Sequence, residues 1–97
     1  MVVEEAPDGV RALEAANATR PDVILLDVML PGEDGFAVAR RLRDDPGLRD
    51  IPVIFLTARA DLEDRERMRS TGAVGYVTKP FNPTDLASRI RSAAERT

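Results

Sequence analysis

Asp27, Thr57 and Lys79 are the residues whose types and spacing could do chemistry together. Asp27 ends the stretch "VILLD", Thr57 ends "VIFLT", and Lys79 follows "GYVT". A carboxylate held against an apolar run is costly unless it is paired, hydrogen-bonded or bound to a metal. In a parallel sheet the carboxyl ends of the strands lie along one edge, and ligands gather there. Neighbouring strands would therefore bring a carboxylate, a hydroxyl and an ammonium into one shallow pocket. Two readings follow. Asp27 starts a turn and pairs with Lys79 as a structural ion pair, or it is an oxygen nucleophile toward phosphorus, forming an acyl phosphate. In the second reading Thr57 and Lys79 bind the phosphoryl oxygens, and a hard cation neutralises the remaining charge.

Such a pocket needs a scaffold, and the apolar pattern supplies one. Four short runs stand out: Met1–Val3, Val23–Leu26, Val53–Leu56 and Val74–Val77. The middle two are unbroken and rich in β-branched residues, as in strands buried on both faces of a parallel sheet. Helix-length segments separate them. Asp8-Gly9 caps a first helix with Val10, Leu13 and Ala16 inward, and Pro21 closes that unit. Asp34-Gly35 starts a second, with Phe36, Ala39 and Leu42 inward, ended by Pro46-Gly47. The third, roughly Ala60–Thr71, stops at Gly72. Its only substantial apolar anchors are Leu62 and Met68, so it reads either as a solvated helix with ion pairs such as Glu63–Arg67 or as a mobile, partner-facing element. The fourth opens with Asn82 as N-cap, Pro83 at N1 and Asp85 at N3, then sets Leu86, Ile90 and Ala93 on one side. The order β-α-β-α-β-α-β-α predicts an α/β doubly wound parallel sheet in one domain, residues 1–97.

Composition narrows the chemistry. The 97 residues contain no Cys and no His, which excludes disulfides, thiol chemistry and imidazole catalysis. A net charge of −3 speaks against direct nucleic-acid binding, because phosphate contacts need a basic face. No run has the length of a membrane span and no secretory signal is visible, so a cytoplasmic setting is expected.

The words around these residues resemble the receiver domain of two-component response regulators. "DVMLPGEDGF" is similar to the family's phosphoacceptor loop, with Asp27 as acceptor. "LTA" matches its hydroxyl position at Thr57. "GYVTKPF" matches its Tyr-x-x-Lys-Pro-Phe ending, with Tyr76 at the rotameric switch position and Lys79 at the invariant lysine. The spacing agrees, with 30 residues from Asp27 to Thr57 and 22 from Thr57 to Lys79. The resemblance runs from about Val2 to the last helix and implies a flavodoxin-like receiver fold. It implies a phosphoryl group accepted on Asp27 from a sensor histidine kinase or phosphotransfer protein. It also implies a cis bond before Pro80, a magnesium site using Asp27 and the Met29 carbonyl, and an output face built from the third helix, last strand and last helix. By the residues alone, Tyr76 also reads as a half-buried strand aromatic with a polar tip, and Pro80 as a plain turn before a helix.

The family's first strand, with its acidic magnesium-binding pair, and its first helix are not found in these residues. The chain therefore reads as an N-terminally truncated receiver of about four strands and four helices. Glu4 and Glu5 read as solvated residues at a helix entry rather than substitute ligands, so magnesium is expected to bind weakly. The chain is then a phosphoacceptor with at most self-phosphorylation and self-dephosphorylation, or a non-catalytic pseudo-receiver used for protein interaction or dimerisation. A haloacid dehalogenase-like phosphatase also combines Asp, Thr and Lys on a doubly wound sheet, but needs a second Asp where Met29 stands. Loss of the first helix is expected to uncover an apolar face on the central strands and to drive self-association. The first strand is expected to slide beside Val23–Leu26, giving a sheet in simple sequence order.

Overall fold

The computed structural model describes residues 2–6, 8–30, 33–58 and 61–95. In chain order the elements are β1 (Val3–Ala6), α1 (Gly9–Thr19), β2 (Val23–Asp27), β3 (Met29–Leu30), β4 (Glu33–Asp34), α2 (Gly35–Asp44), β5 (Val53–Thr57), α3 (Leu62–Ser70), β6 (Gly75–Thr78) and α4 (Pro83–Ala94). The expected starts of the first strand at Met1 and of the third helix at Ala60 lie outside the described residues. β1, β2, β5 and β6 form one parallel sheet in that order, the simple sequence order expected, and each is followed by a helix. β3 and β4 form a small antiparallel ribbon between β2 and α2.

The two unbroken apolar runs became the two inner strands. Side chains alternate across a strand, so β2 and β5 need apolar residues at every position to be covered on both faces. Ile24, Leu26, Val53 and Phe55 face a core completed by Ala12, Ala16, Phe36, Val38, Leu42 and Met68. Phe36 and Phe55 meet there with ring centroids 5.3 Å apart. Val23, Leu25, Ile54, Leu56 and Val77 face the other way, against Ala93, with Leu86, Ile90 and Phe81 packed around them.

That second face corrects the expectation of an uncovered apolar patch. Leu25 is the most exposed of its five buried strand residues, at only 6%. The reason is α4, which packs across both β2 and β5 instead of leaving the centre of the sheet open. The case for self-association that rested on this patch loses its premise. β1 remains an edge strand, with Val2 and Val3 exposed. A symmetric antiparallel pairing of β1 with a second copy, centred on Glu4 or on Glu5, would set that carboxylate opposite its own copy, and facing like charges oppose such pairing.

Helix caps fall where the sequence places them. The carboxylates of Asp8 and Asp34 accept the N–H groups of Arg11 and Phe36, and the side chain of Asn82 accepts that of Thr84. Gly72, at φ +84°, takes the left-handed position after α3. Two inner faces differ from expectation. In α1 the buried residues are Gly9, Ala12 and Ala16, with Leu13 partly buried, whereas Val10 is 62% exposed. The small residues let α1 lie close to its neighbours, and Val10 falls outside that contact. Val10→Ser is accordingly expected to change stability by no more than about 0.5 kcal/mol in urea unfolding. In α3 only Met68 is buried, and Leu62 is 67% exposed, so the helix has one apolar anchor rather than two.

Candidate functional site

Parallel pairing brings the three strand ends to one edge. Asp27 closes β2 and lies in register with Leu56; Thr57, the next residue of β5, lies in register with Thr78 of β6. Backbone bonds fasten the ends just beyond the ladder. Val28 N–H donates to the Leu56 carbonyl at 3.1 Å, and Lys79 N–H donates to the Thr57 carbonyl at 2.7 Å. β5 stands between the other two, so Thr57 sits between Asp27 and Lys79 along the edge.

Lys79 reaches across this gap. Its Nζ lies 2.7 Å from Asp27 Oδ1, and the side chains of Asp27 and Lys79 are 32% and 41% exposed. An ion pair so open to solvent stabilises the fold by about 1 kcal/mol or less. Its main effect is to fix one carboxylate oxygen and one ammonium in an accessible place. The Lys79–Pro80 bond is cis, as the resemblance implies. Thr57 is buried at the end of β5. Tyr76 is half-buried in β6, in register with Phe55, and packs against the α2 side of the core. Its carbonyl accepts a hydrogen bond from Arg89 Nη1 at 3.3 Å, linking β6 to α4. Met29 lies in the β3–β4 ribbon opposite Asp34, with its side chain pointing to solvent.

The loop that follows Asp27 is anchored by features that the sequence did not reveal. Gly35 N–H donates to the Val28 carbonyl at 3.0 Å, and the Gly35 Cα packs so tightly that a Cβ would collide with the Asp27 carbonyl oxygen. Arg67 of α3 pairs with Asp34 at 3.1 Å and stacks over the Phe36 ring, 4.3 Å from its centroid. The expected Glu63–Arg67 pair is therefore not the partnership Arg67 makes. A glycine directly after a capping Asp was the only sequence signal for the first feature. One arginine among the three of a highly charged helix carried none for the second.

Magnesium prefers six oxygen ligands in near-octahedral geometry and keeps several waters. Among the described residues no three Asp, Glu, His or Cys side chains come together as a metal site. Glu4 and Glu5 lie within β1 rather than at a helix entry, and their register partners Ile24 and Leu25 precede Asp27 in β2. Asp8, the next acid along, is engaged as the α1 cap and with Arg11. Asp27 and the Met29 carbonyl would offer magnesium one carboxylate and one carbonyl, and Asp27 is already paired with Lys79. Titration calorimetry on the 97-residue chain is expected to give a magnesium Kd on the order of millimolar or weaker. Micromolar binding would mean that another carboxylate has moved to the edge.

Comparison with known proteins places this geometry. The sequence matches the response regulator receiver domain model over residues 1–91. It is 49% identical over 94 residues to the transcriptional regulatory protein CseB of Streptomyces avermitilis, covering 97% of this chain and 39% of that protein. It is 47% identical over 92 residues to the phosphate regulon transcriptional regulatory protein PhoB of Escherichia coli, covering 95% of this chain and 40% of that one. Among solved structures, the receiver domain of the Francisella response regulator 1452 superposes with a TM-score of 0.81 at 34% identity, covering 94% of this chain and 74% of that chain. The receiver domain of the Pseudomonas aeruginosa sensor histidine kinase PA1611, solved with magnesium coordinated in its active-site cleft, gives 0.81 at 35% identity, covering 92% and 73%. The chain thus spans about two fifths of the length of these curated relatives. Among the described residues, no helix is long and apolar enough to cross a membrane. With its parallel sheet, its Asp27–Lys79 pair and its match to the domain model, the chain belongs to the response regulator receiver domain family.

Proposed function

We propose that Asp27 accepts a phosphoryl group from the phosphohistidine of a sensor histidine kinase or phosphotransfer protein. The observation that carries this reading is the accessible 2.7 Å Asp27–Lys79 pair at the carboxyl edge of the sheet. A carboxylate oxygen of Asp27 attacks phosphorus, the P–N bond to imidazole breaks, and the imidazole leaves with that electron pair and takes a proton. Lys79 exchanges its carboxylate contact for a phosphoryl oxygen, balancing charge on the transferred group. The Thr57 hydroxyl donates to another phosphoryl oxygen, and Tyr76, two residues before the end of β6, passes the change to the face formed by α3, β6 and α4. No turnover is required, because the domain is the recipient of the group.

Incubating the chain with a small phosphoramidate donor over a range of magnesium concentrations tests the reading. The expected product is one base-labile phosphoryl group on Asp27, identified by mass spectrometry after borohydride trapping. Label on another residue would overturn the assignment. No label at any magnesium concentration would favour a second reading, a pseudo-receiver that acts as a protein-interaction module. The lack of a three-ligand acidic cluster among the described residues is the observation in that reading's favour.

A further inference from the structure

We propose that Arg67 is a positioning residue, a latch that fastens α3 to the acceptor loop and through which the placement of α3 and the geometry at Asp27 are coupled. α3 needs such a device. Its sequence "LEDRERMRS" buries one side chain, Met68, and leaves Leu62 in solvent. Helices with so little buried apolar surface open at low free-energy cost. At its C-terminal end α3 is held through the Ser70 carbonyl, which accepts from Arg43 Nη1 of α2 at 3.0 Å. Arg67 makes the link that reaches toward the site. Its guanidinium combines an ion pair to Asp34 Oδ2 at 3.1 Å with a stacked position over Phe36. Lysine, lacking the planar fork, would not reproduce that combination.

The far end of the latch is what gives it consequence. Asp34 divides its two oxygens: Oδ1 accepts the Phe36 N–H and caps α2, while Oδ2 takes Arg67. Asp34 also pairs with Met29 across the β3–β4 ribbon. It directly precedes Gly35, which lies against the Asp27 carbonyl and bonds the Val28 carbonyl. A pull on Asp34 is therefore a pull on the backbone that holds the acceptor. By reciprocity, a change at Asp27 that shifts this loop alters the hold on α3. This consequence for signalling rests on the reading of Asp27 as phosphoacceptor; the latch itself does not.

Amide hydrogen exchange of the unphosphorylated chain tests it, so failure of labelling at Asp27 and failure of the latch are separate results. In the unaltered chain α3 is expected to exchange faster than α4. Arg67→Ala is expected to accelerate exchange across α3 by roughly five- to tenfold, the scale of one exposed ion pair plus one cation–π contact, with α4 unchanged within about twofold. Arg67→Lys is expected to restore less than half of the lost protection. Asp34→Asn keeps a good N-cap and removes the charge, so it should loosen α3 without unfolding α2. The double variant should be no looser than Arg67→Ala alone. The signature specific to a latch is spectroscopic. Arg67 side-chain protons should be shifted upfield by the Phe36 ring, should lose that shift in Asp34→Asn, and the Gly35 and Val28 amide resonances should move in both single variants. Unchanged α3 exchange in Arg67→Ala, equal acceleration in α3 and α4, or additive effects in the double variant would overturn the proposal.

Discussion

Replacing Asp27 with Asn is expected to abolish phosphoryl labelling while leaving the fold in place. The two halves of that expectation have separate causes. An amide oxygen is a far weaker nucleophile than a carboxylate and cannot form an acyl phosphate, so the covalent step has no substitute at this position. The Asp27–Lys79 pair, by contrast, is open to solvent, and pairs of that kind contribute about 1 kcal/mol or less to stability. Lys79 without its partner is still hydrated, because 41% of its side chain is exposed. Thermal unfolding of Asp27→Asn should therefore nearly superimpose on that of the unaltered chain. Phosphoryl label that survives the substitution would place the acceptor elsewhere. A large loss of stability would mean that the pair is structural, the other reading its sequence position allowed.

How much of this was legible beforehand depended on what kind of force places each residue. The inner strands were readable because Val23–Leu26 and Val53–Leu56 must be apolar at every position to be covered on both faces. The caps at Asp8, Asp34 and Asn82 were readable because capping is local chemistry within three residues. The meeting of Asp27 with Lys79 followed from strand direction together with adjacency, since strands pointing one way end on one edge and β2, β5 and β6 lie side by side. Other placements depend on tertiary contact. The inner face of α1 is made of Gly9, Ala12 and Ala16, whose small side chains carry little apolar signal, so the larger Val10 misled. The cover over Leu25 and Ile54 depends on how α4 crosses the sheet, and its sequence fixes a face but not a crossing position. Arg67 had a plausible partner four residues away in Glu63 and chose Asp34, 33 residues distant. Long charged side chains are decided by what the fold brings near them.

The sharpest mechanical test of the site is Gly35→Ala, expected to destabilise the domain by about 2–4 kcal/mol, the sum of an overpacking cost and a broken hydrogen bond. On the scale of a chain this size that lowers Tm by roughly 10 °C or more. The added methyl would meet the Asp27 carbonyl oxygen at a separation no real Cβ adopts, with the Val28 Cα and carbonyl oxygen at 3.0 Å each. All of these are backbone atoms, so no side chain can swing aside to make room. The chain must part where α2 begins, which opens the Gly35 N–H to Val28 carbonyl bond. Alanine's better helix propensity offsets at most about 1 kcal/mol of this. Gly75→Ala is the control, because a Cβ there finds nothing within 4 Å and should be neutral within about 0.5 kcal/mol. The displaced atom belongs to Asp27 itself, so Gly35→Ala should also slow labelling of Asp27 under conditions where the variant remains folded. Equal stability of the two alanine variants would show that α2 does not start against the Asp27 backbone, and the route from Arg67 through Asp34 to Asp27 would have to be abandoned with it.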